Sequence, residues 1–355
     1  MLAPQTESEL ASVVAEASDP LRIMGGGTRP VGQASGQVLS VAGLSGVSLY
    51  EPGALTIVAG AGTPLSEVEG ALSEAGQQLP FEPMDHRALL GIDGVPTIGG
   101  VVAANASGPR RVQAGACRDS LIGVRFVDGR GDVIKNGGRV MKNVTGYDLV
   151  KLLAGSWGTL GVLSEVAFKV LPRPEAAATL QVHGLSEADA VGILCKALAS
   201  PFEVSGAAHV STGQGGPVTL LRVEGFAEQV SYRCGRLKDL LAETCANIST
   251  ETDPERVRDQ WKDVRDAAPL AGPDGDIWRF SVKPTDAPGL VETLRGICPD
   301  LEAMFDWGGG LVWVRAKEGS DLRFGGLKGH ATLVRAAAET KTRLGVFHPE
   351  PAPVA

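Results

Sequence analysis

Apolar and polar positions change their spacing along this chain, and each change marks an element. Residues 7–17 read as a helix and Leu21–Met24, a short apolar run, as a strand. Leu55–Ala59 predicts another strand, which delivers Thr63-Pro64 as N-cap and first residue of a helix that stops at Gly76. Leu121–Val127, the turn Asp128-Gly-Arg-Gly131 and Val133-Ile134 predict a hairpin. Further on, Val162, Val166, Phe168 and Val170 share one face of a long strand that prolines close. The chain divides near Pro172-Arg-Pro174, and there the pattern restarts. Strands are expected at 179–182, 203–210, 218–224, 277–282, 301–306 and 311–315, and helices at 186–198, 226–243, 254–266 and 286–296. Asp306-Trp-Gly-Gly-Gly310 between two apolar strands is explained as a hairpin turn.

Between these elements lie three glycine loops. The first, Leu21-Arg-Ile-Met-Gly-Gly-Gly-Thr28, empties a strand into three glycines and a hydroxyl. Consecutive glycines cost conformational entropy, so the backbone there bends tightly or approaches something closely, and a nest of N–H groups can surround an anion without a lysine. The second runs from Pro96 to Arg111, and from Gly99 to Gly108 nothing is larger than Val or Asn. Such a run suits a flat aromatic or pyrophosphate on the backbone, and equally a tight helix crossing. Arg110 and Arg111 beside it hold a phosphate or carboxylate, or are solvated charge. The third carries Gly155, Gly158 and Gly161 into the long strand.

What is missing narrows the chemistry. No Gly-x-x-x-x-Gly-Lys-Ser/Thr occurs, and Gly25-Gly26-Gly27 does not fit Gly-x-Gly-x-x-Gly, so any dinucleotide site must be assembled from separated loops. The 355 residues suggest two domains, and 43% hydrophobic residues suffice for a core. A net charge of −8 with scattered basic residues argues against nucleic acid and against anionic membrane as direct partners. No leader or transmembrane segment is evident, so a cytoplasmic protein is expected, reaching a membrane only through partners. Five cysteines without Cys-x-x-Cys, and five dispersed histidines, predict neither an iron–sulfur cluster nor a metal site.

With these residues in view, the chain resembles the vanillyl-alcohol oxidase/cresol methylhydroxylase superfamily. Within it, the FAD-binding subunits of bacterial glycolate oxidase are the nearest likeness. The resemblance runs through Gly25-Gly-Gly-Thr28, Glu51-Pro-Gly-Ala-Leu-Thr-Ile-Val-Ala-Gly-Ala-Gly-Thr-Pro-Leu65, Leu79-Pro-Phe-Glu-Pro83, Gly99-Gly100 and Ser107-Gly-Pro-Arg-Arg111. It continues through Arg118-Asp119 and Met141-Lys-Asn-Val-Thr-Gly-Tyr-Asp148 to Leu171-Pro-Arg-Pro174, with weaker echoes at 278–282, 305–313 and 329–332. It implies an α+β protein: a two-subdomain PCMH-type FAD-binding domain over 1–174, then an antiparallel, ferredoxin-like cap over 175–355. Relatives finish with a terminal Asn-Pro-Gly-type motif that is missing here, so a truncated terminus, or loss of the motif in this lineage, is expected.

The resemblance also assigns roles. Non-covalent FAD would place its pyrophosphate on Gly25, Gly26, Gly27, Thr28, Thr97, Gly99 and Gly100. Ala104 to Gly108, Ser107 included, would line the ring or ribityl chain, with Arg118-Asp119 near the flavin and Gly158, Gly161 and Val162 on its other side. Gly26→Val is therefore expected to abolish flavin retention with little loss of fold. The implied reaction is glycolate to glyoxylate, with a homologous FAD-containing subunit and an iron–sulfur subunit as partners. No histidine–acid cluster of the kind hydroxy-acid oxidising relatives carry is found, so catalytic residues stay unassigned. Arg110, Arg111, Lys142 and Tyr147 are candidates for holding a carboxylate or relaying a proton, or are structural. Asp148 and Lys142 are equally read as a salt bridge that fixes the loop, Cys117 is a packed thiol or a covalent flavin attachment, and His86 lies in the loop between Pro83 and Pro96. A self-sufficient 2-hydroxy-acid dehydrogenase and a flavin-free structural subunit are the other readings.

Overall fold

The computed structural model describes residues 1–138, 146–212, 215–245, 247–272 and 274–349. They form two compact units. The first comprises Met1–Pro30, Ala34–Arg87 and Ile92–Arg173; the second takes Val31–Gln33, Ala88–Gly91 and everything from Pro174 onward.

In the first unit, Thr6 opens the helix Glu7–Glu16 by accepting a hydrogen bond from the Glu9 N–H, which satisfies one of the orphan donors of the first turn. The helix buries Leu10 and Val14 with Leu39, Val41, Leu44, Val127 and Val162. Leu21–Met24 pairs in parallel with Gln37–Ser40, a strand the sequence pattern did not show. A larger core lies on a five-stranded antiparallel sheet, ordered Val47–Glu51, Thr56–Gly60, Val162–Lys169, Leu121–Val127, Val133–Gly137. Val162, Val166, Phe168 and Val170 are all buried but do not share one face: Val162 packs under Glu7–Glu16, while Leu163 joins Val166, Phe168 and Val170 in the larger core, because the pairing with Leu121–Val127 shifts register between Arg125 and Phe126. Phe168 packs on Phe81 with ring centroids 5.5 Å apart, and burying each ring contributes about 2–3 kcal/mol.

Two local expectations change. Leu55 is not in the strand: it adopts φ +51 after the single turn Pro52–Ala54. Nor does Thr63 cap the next helix, which is Leu65–Glu74 with Pro64 at its N-cap position. The Thr63 hydroxyl accepts from the Gly46 N–H at 2.9 Å and contacts the Gly60 carbonyl at 2.6 Å, so it ties two loops together instead.

The second unit is one eight-stranded antiparallel sheet made of two similar halves. Ala176–His183, helix Glu187–Leu198, Val204–Val210, Val218–Gly225, helix Ala227–Leu241 and Ile248–Glu251 give a β-α-β-β-α-β half. Asp276–Val282, helix Ala287–Ile297, Glu302–Asp306, Leu311–Ala316 and Gly329–Arg335 repeat that strand order without the second helix. The halves join where Val204–Val210 pairs with Glu302–Asp306. Each half buries its own helices: Leu194, Leu237 and Leu241 in the first, Leu290, Val291 and Leu294 in the second. The α+β class and the ferredoxin-like repetition expected of the C-terminal half are both present. Trp307–Gly309 makes the turn between Glu302–Asp306 and Leu311–Ala316, as expected, and Trp278 and Trp313 are core. The Gly329–Arg335 strand and the helix Ala338–Leu344 were not legible beforehand.

Candidate functional site

The first glycine loop begins where Leu21–Met24 loses its partner: the Met24 carbonyl still accepts from the Val41 N–H at 2.9 Å. Beyond it, among the described residues, the N–H groups of Gly25, Gly26, Gly27 and Thr28 donate to no protein acceptor. The glycines themselves serve different ends. A Cβ on Gly25 would stand 2.3 Å from Thr97 Oγ1, and one on Gly26 only 1.6 Å from the Val95 carbonyl oxygen. Gly94 reciprocates, since its Cβ would meet Gly26 O at 2.5 Å. Gly27 has φ +69 and open space around it, Met24 Sδ at 3.7 Å excepted. Two of the three glycines are therefore demanded by the neighbouring loop. The expectation that Gly26→Val leaves the fold intact is corrected accordingly: the side chain collides with backbone before it meets any ligand.

That neighbouring loop leads into a six-residue helix, Ile98–Ala103, around which most of the expected residues gather. Thr97 is its buried N-cap, accepting from Gly100 N–H at 3.3 Å. Gly99 donates to Ala61 O at 2.8 Å, and a Cβ on it would come within 2.6 Å of the same oxygen. Close packing of this helix on the turn after Thr56–Gly60, not a helix crossing, thus accounts for Gly99, and the N–H groups of Gly99 and Gly100 are spent on the fold. At the other end Ala104 closes the helix and Asn105 turns at φ +47. Asn105 Oδ1 accepts from Arg118 N–H at 3.1 Å, and Ser107 Oγ from Cys117 N–H at 2.9 Å. Gly108 donates to Phe81 O at 2.8 Å. Gly155 and Trp157 donate to Val102 O and Ala103 O at 3.0 and 2.9 Å.

Asp119 is exposed and accepts from Ala116 N–H at 2.9 Å, so its carboxylate closes its own turn. Gly158 packs on Ile23, where a Cβ would lie 3.3 Å from Cγ1. Gly161 and Val162 are placed apart from the gathering: a Cβ on Gly161 would meet Phe126 at 2.7 Å, and Val162 belongs to the core under Glu7–Glu16. Arg110 is buried and held by Glu82, its N–H 2.8 Å from Oε2 and its guanidinium 3.5 Å from Oε1. Burial, and then the nearby Arg118 cation, lower the Arg111 pKa. Tyr147 is 87% exposed, and Asp148 caps the helix Leu149–Leu153 through Lys151 N–H at 3.1 Å. Lys142 lies outside the described residues. His86 Nδ1 meets Met84 O at 3.3 Å. Cys117 is fully buried and burial pushes its thiol up, so it stays protonated. Among the described residues no three His, Cys, Asp or Glu side chains gather as metal ligands, and no helix is long and apolar enough to cross a membrane.

Arg29, next after the glycine loop, was missed in reading the sequence. Its Nη2 donates to Met84 O at 3.1 Å, its Nη1 stands 3.5 Å from where a Gly100 Cβ would be, and its Nε is buried without a partner. Burial holds its pKa down at about 10 against the attraction of Asp85. Its position directly after the loop was the available signal. Four uncommitted N–H groups, an open glycine and an under-used guanidinium together fit an anionic, phosphate-bearing group.

This geometry and the comparisons agree. Residues 1–137 match the family model described as an FAD binding domain. The chain is an FAD-dependent oxidoreductase of the PCMH type, with an antiparallel α+β domain after its flavin domain. Over 314 residues it is 35% identical to glycolate oxidase subunit GlcE of Escherichia coli, covering 88% of this chain and 78% of that one. It belongs to the GlcE family of glycolate oxidase subunits. Glycolate oxidase subunit GlcD of Bacillus subtilis is 30% identical, over 51% of this chain but 38% of its own length. An Archaeoglobus fulgidus D-lactate dehydrogenase is likewise 30% identical, over 48% of this chain and 38% of that one. In fold, alkyldihydroxyacetonephosphate synthase superposes with a TM-score of 0.69 at 16% identity, over 89% of this chain and 67% of that one. The resemblance read from the motifs is borne out.

Proposed function

We propose that this chain is the FAD-binding, GlcE-type subunit of a multi-subunit enzyme that oxidises glycolate to glyoxylate. Residues 1–174 are the flavin domain and 175–355 the cap. The observation that carries the reading is the loop Gly25–Thr28, whose four N–H groups donate to no described acceptor, beside Arg29 and the helix Ile98–Ala103. The main chain of Gly25–Thr28 would hold the diphosphate of FAD, with Thr97, Gly99 and Gly100 setting the loop that shapes it. Ala104, Ser107, Gly108 and the segment around Gly158 and Arg118 would border the rest of the cofactor. When bound, the flavin supplies hydride acceptance and onward electron transfer, a chemistry no side chain can provide. The protein's part is to bind and orient it. Binding is non-covalent, which a buried, protonated Cys117 supports.

The partners are a homologous FAD-containing subunit and an iron–sulfur subunit, the latter because no Cys-x-x-Cys supplies cluster ligands here. Substrate oxidation is assigned to the homologous flavin subunit, and the assembly is cytoplasmic, meeting a membrane only through those partners. The test is the visible spectrum of the purified chain, alone and co-expressed with its genomic neighbours, before and after glycolate. A flavin spectrum that glycolate bleaches only in the complex supports the reading. Bleaching of the isolated chain makes it a self-sufficient enzyme, and no flavin even in the complex leaves a structural subunit.

A further inference from the structure

We infer that Arg29 is a ligand-binding cation held in reserve by the fold, whose partner is the diphosphate of the bound dinucleotide. This rests on the FAD reading above and adds a charged residue to a site otherwise made of main-chain donors. An arginine carries five N–H donors in a planar fork that matches two phosphate oxygens. Here one carbonyl, Met84 O at 3.1 Å, is the acceptor found for it, and Nε is buried with none. Neither nearby acid meets the need. Asp85 is gripped by Arg87, with Nη2 2.7 Å from Oδ2 and Nε 3.1 Å from both oxygens. Cys117 remains a neutral thiol. A cation placed this way costs folding energy unless an anion arrives, which is why its retention points to a ligand.

Position decides which anion. Arg29 directly follows the uncommitted N–H groups of Gly25–Thr28, and its Nη1 faces Gly100 in the first turn of Ile98–Ala103. A group spanning the loop and that turn meets main-chain donors at one end and the guanidinium at the other. Two linked phosphates have that reach and charge.

The test uses the full chain stripped of flavin, with FAD and ADP as probes in titration calorimetry. Arg29→Met should weaken both by about 30-fold or more, which is about 2 kcal/mol. Arg29→Lys should recover most of the loss, and the salt dependence of FAD binding should flatten in the methionine variant. The ligand-free Arg29→Met protein should melt no lower than wild type, because a poorly partnered buried charge has been removed. A lower melting temperature with unchanged FAD and ADP affinity would make Arg29 a structural residue and overturn the inference. Loss of FAD but not of ADP would move its contact to the flavin ring and overturn it too. If the wild-type chain binds neither probe, the cofactor reading falls with it; if it binds both and Arg29→Met does so equally, only the role of Arg29 falls.

Discussion

The two units use their buried and half-buried cations in different ways. In the second, Arg222 lies 4.6 Å over the Trp261 ring, donates to Ser205 Oγ and O at 3.2 and 3.1 Å, and pairs with Glu224 at 3.3 Å. Arg335 spends both Nη groups on the carbonyls of Leu89, Gly272, Asp274 and Gly275, leaving only Nε over. In the first, Arg29 has one carbonyl and the loop before it has idle N–H groups. Both units bury single polar atoms without a partner, Trp278 Nε1 and Arg335 Nε among them, but among the described residues only at Arg29 does an under-used guanidinium directly follow a run of idle main-chain donors.

Packed and open glycines occur in both units, and Gly26→Val breaks the first unit hardest. With its Cβ 1.6 Å from a backbone oxygen, the variant should lose more than about 4 kcal/mol, and folded first unit and flavin should disappear together in near-UV dichroism and absorbance. A wild-type melting curve would refute the loop contact. Next in size is a pH effect in the second unit. His209 is fully buried, bonded to Thr219 Oγ1 at 2.9 Å, and burial holds its pKa down at about 4. It stays neutral in the fold while the unfolded chain takes a proton near 6.5. Stability present at neutral pH is therefore lost as pH falls from there towards about 4, by at most about 3 kcal/mol. Urea midpoints at pH 7 and 4.5 should show that slope for the wild type and lose it for His209→Gln.

Smaller effects sharpen the contrast. Gly206→Ala sets a methyl 2.5 Å from the Trp261 ring, displaces the aromatic under Arg222, and should cost about 2 kcal/mol in urea unfolding with flavin content unchanged. Gly27→Ala meets no close atom and loses only the freedom of φ +69, about 1 kcal/mol. Its melting temperature should sit far nearer wild type than that of Gly26→Val. Equal losses at Gly26 and Gly27 would show that the loop as a whole is strained, not that one glycine is packed and its neighbour open.

Much of the second unit was legible because each half reads its strands and helices locally. Ser186 caps Glu187–Leu198 by accepting from Asp189 N–H, as its Ser-x-x-Asp pattern suggests. Gln37–Ser40 was not, because a four-residue strand bearing one polar end carries little period. The candidate site was half legible. Gly25–Thr28 announced itself through composition, while Asn105 and Ser107, which accept from residues thirteen and ten positions further on, have no local signature.

The sequence by itself determined the class of this protein: the motif segments between Gly25 and Pro174 resemble those of a flavoprotein family, and the local strand and helix signals after them mark an antiparallel α+β domain. Only the tertiary structure decided which glycines serve the fold and which stay open, and that Arg29 keeps donors to spare. Those facts depend on what Val95, Ala61, Met84 and Gly100 occupy in space, and distance along the chain says nothing about it.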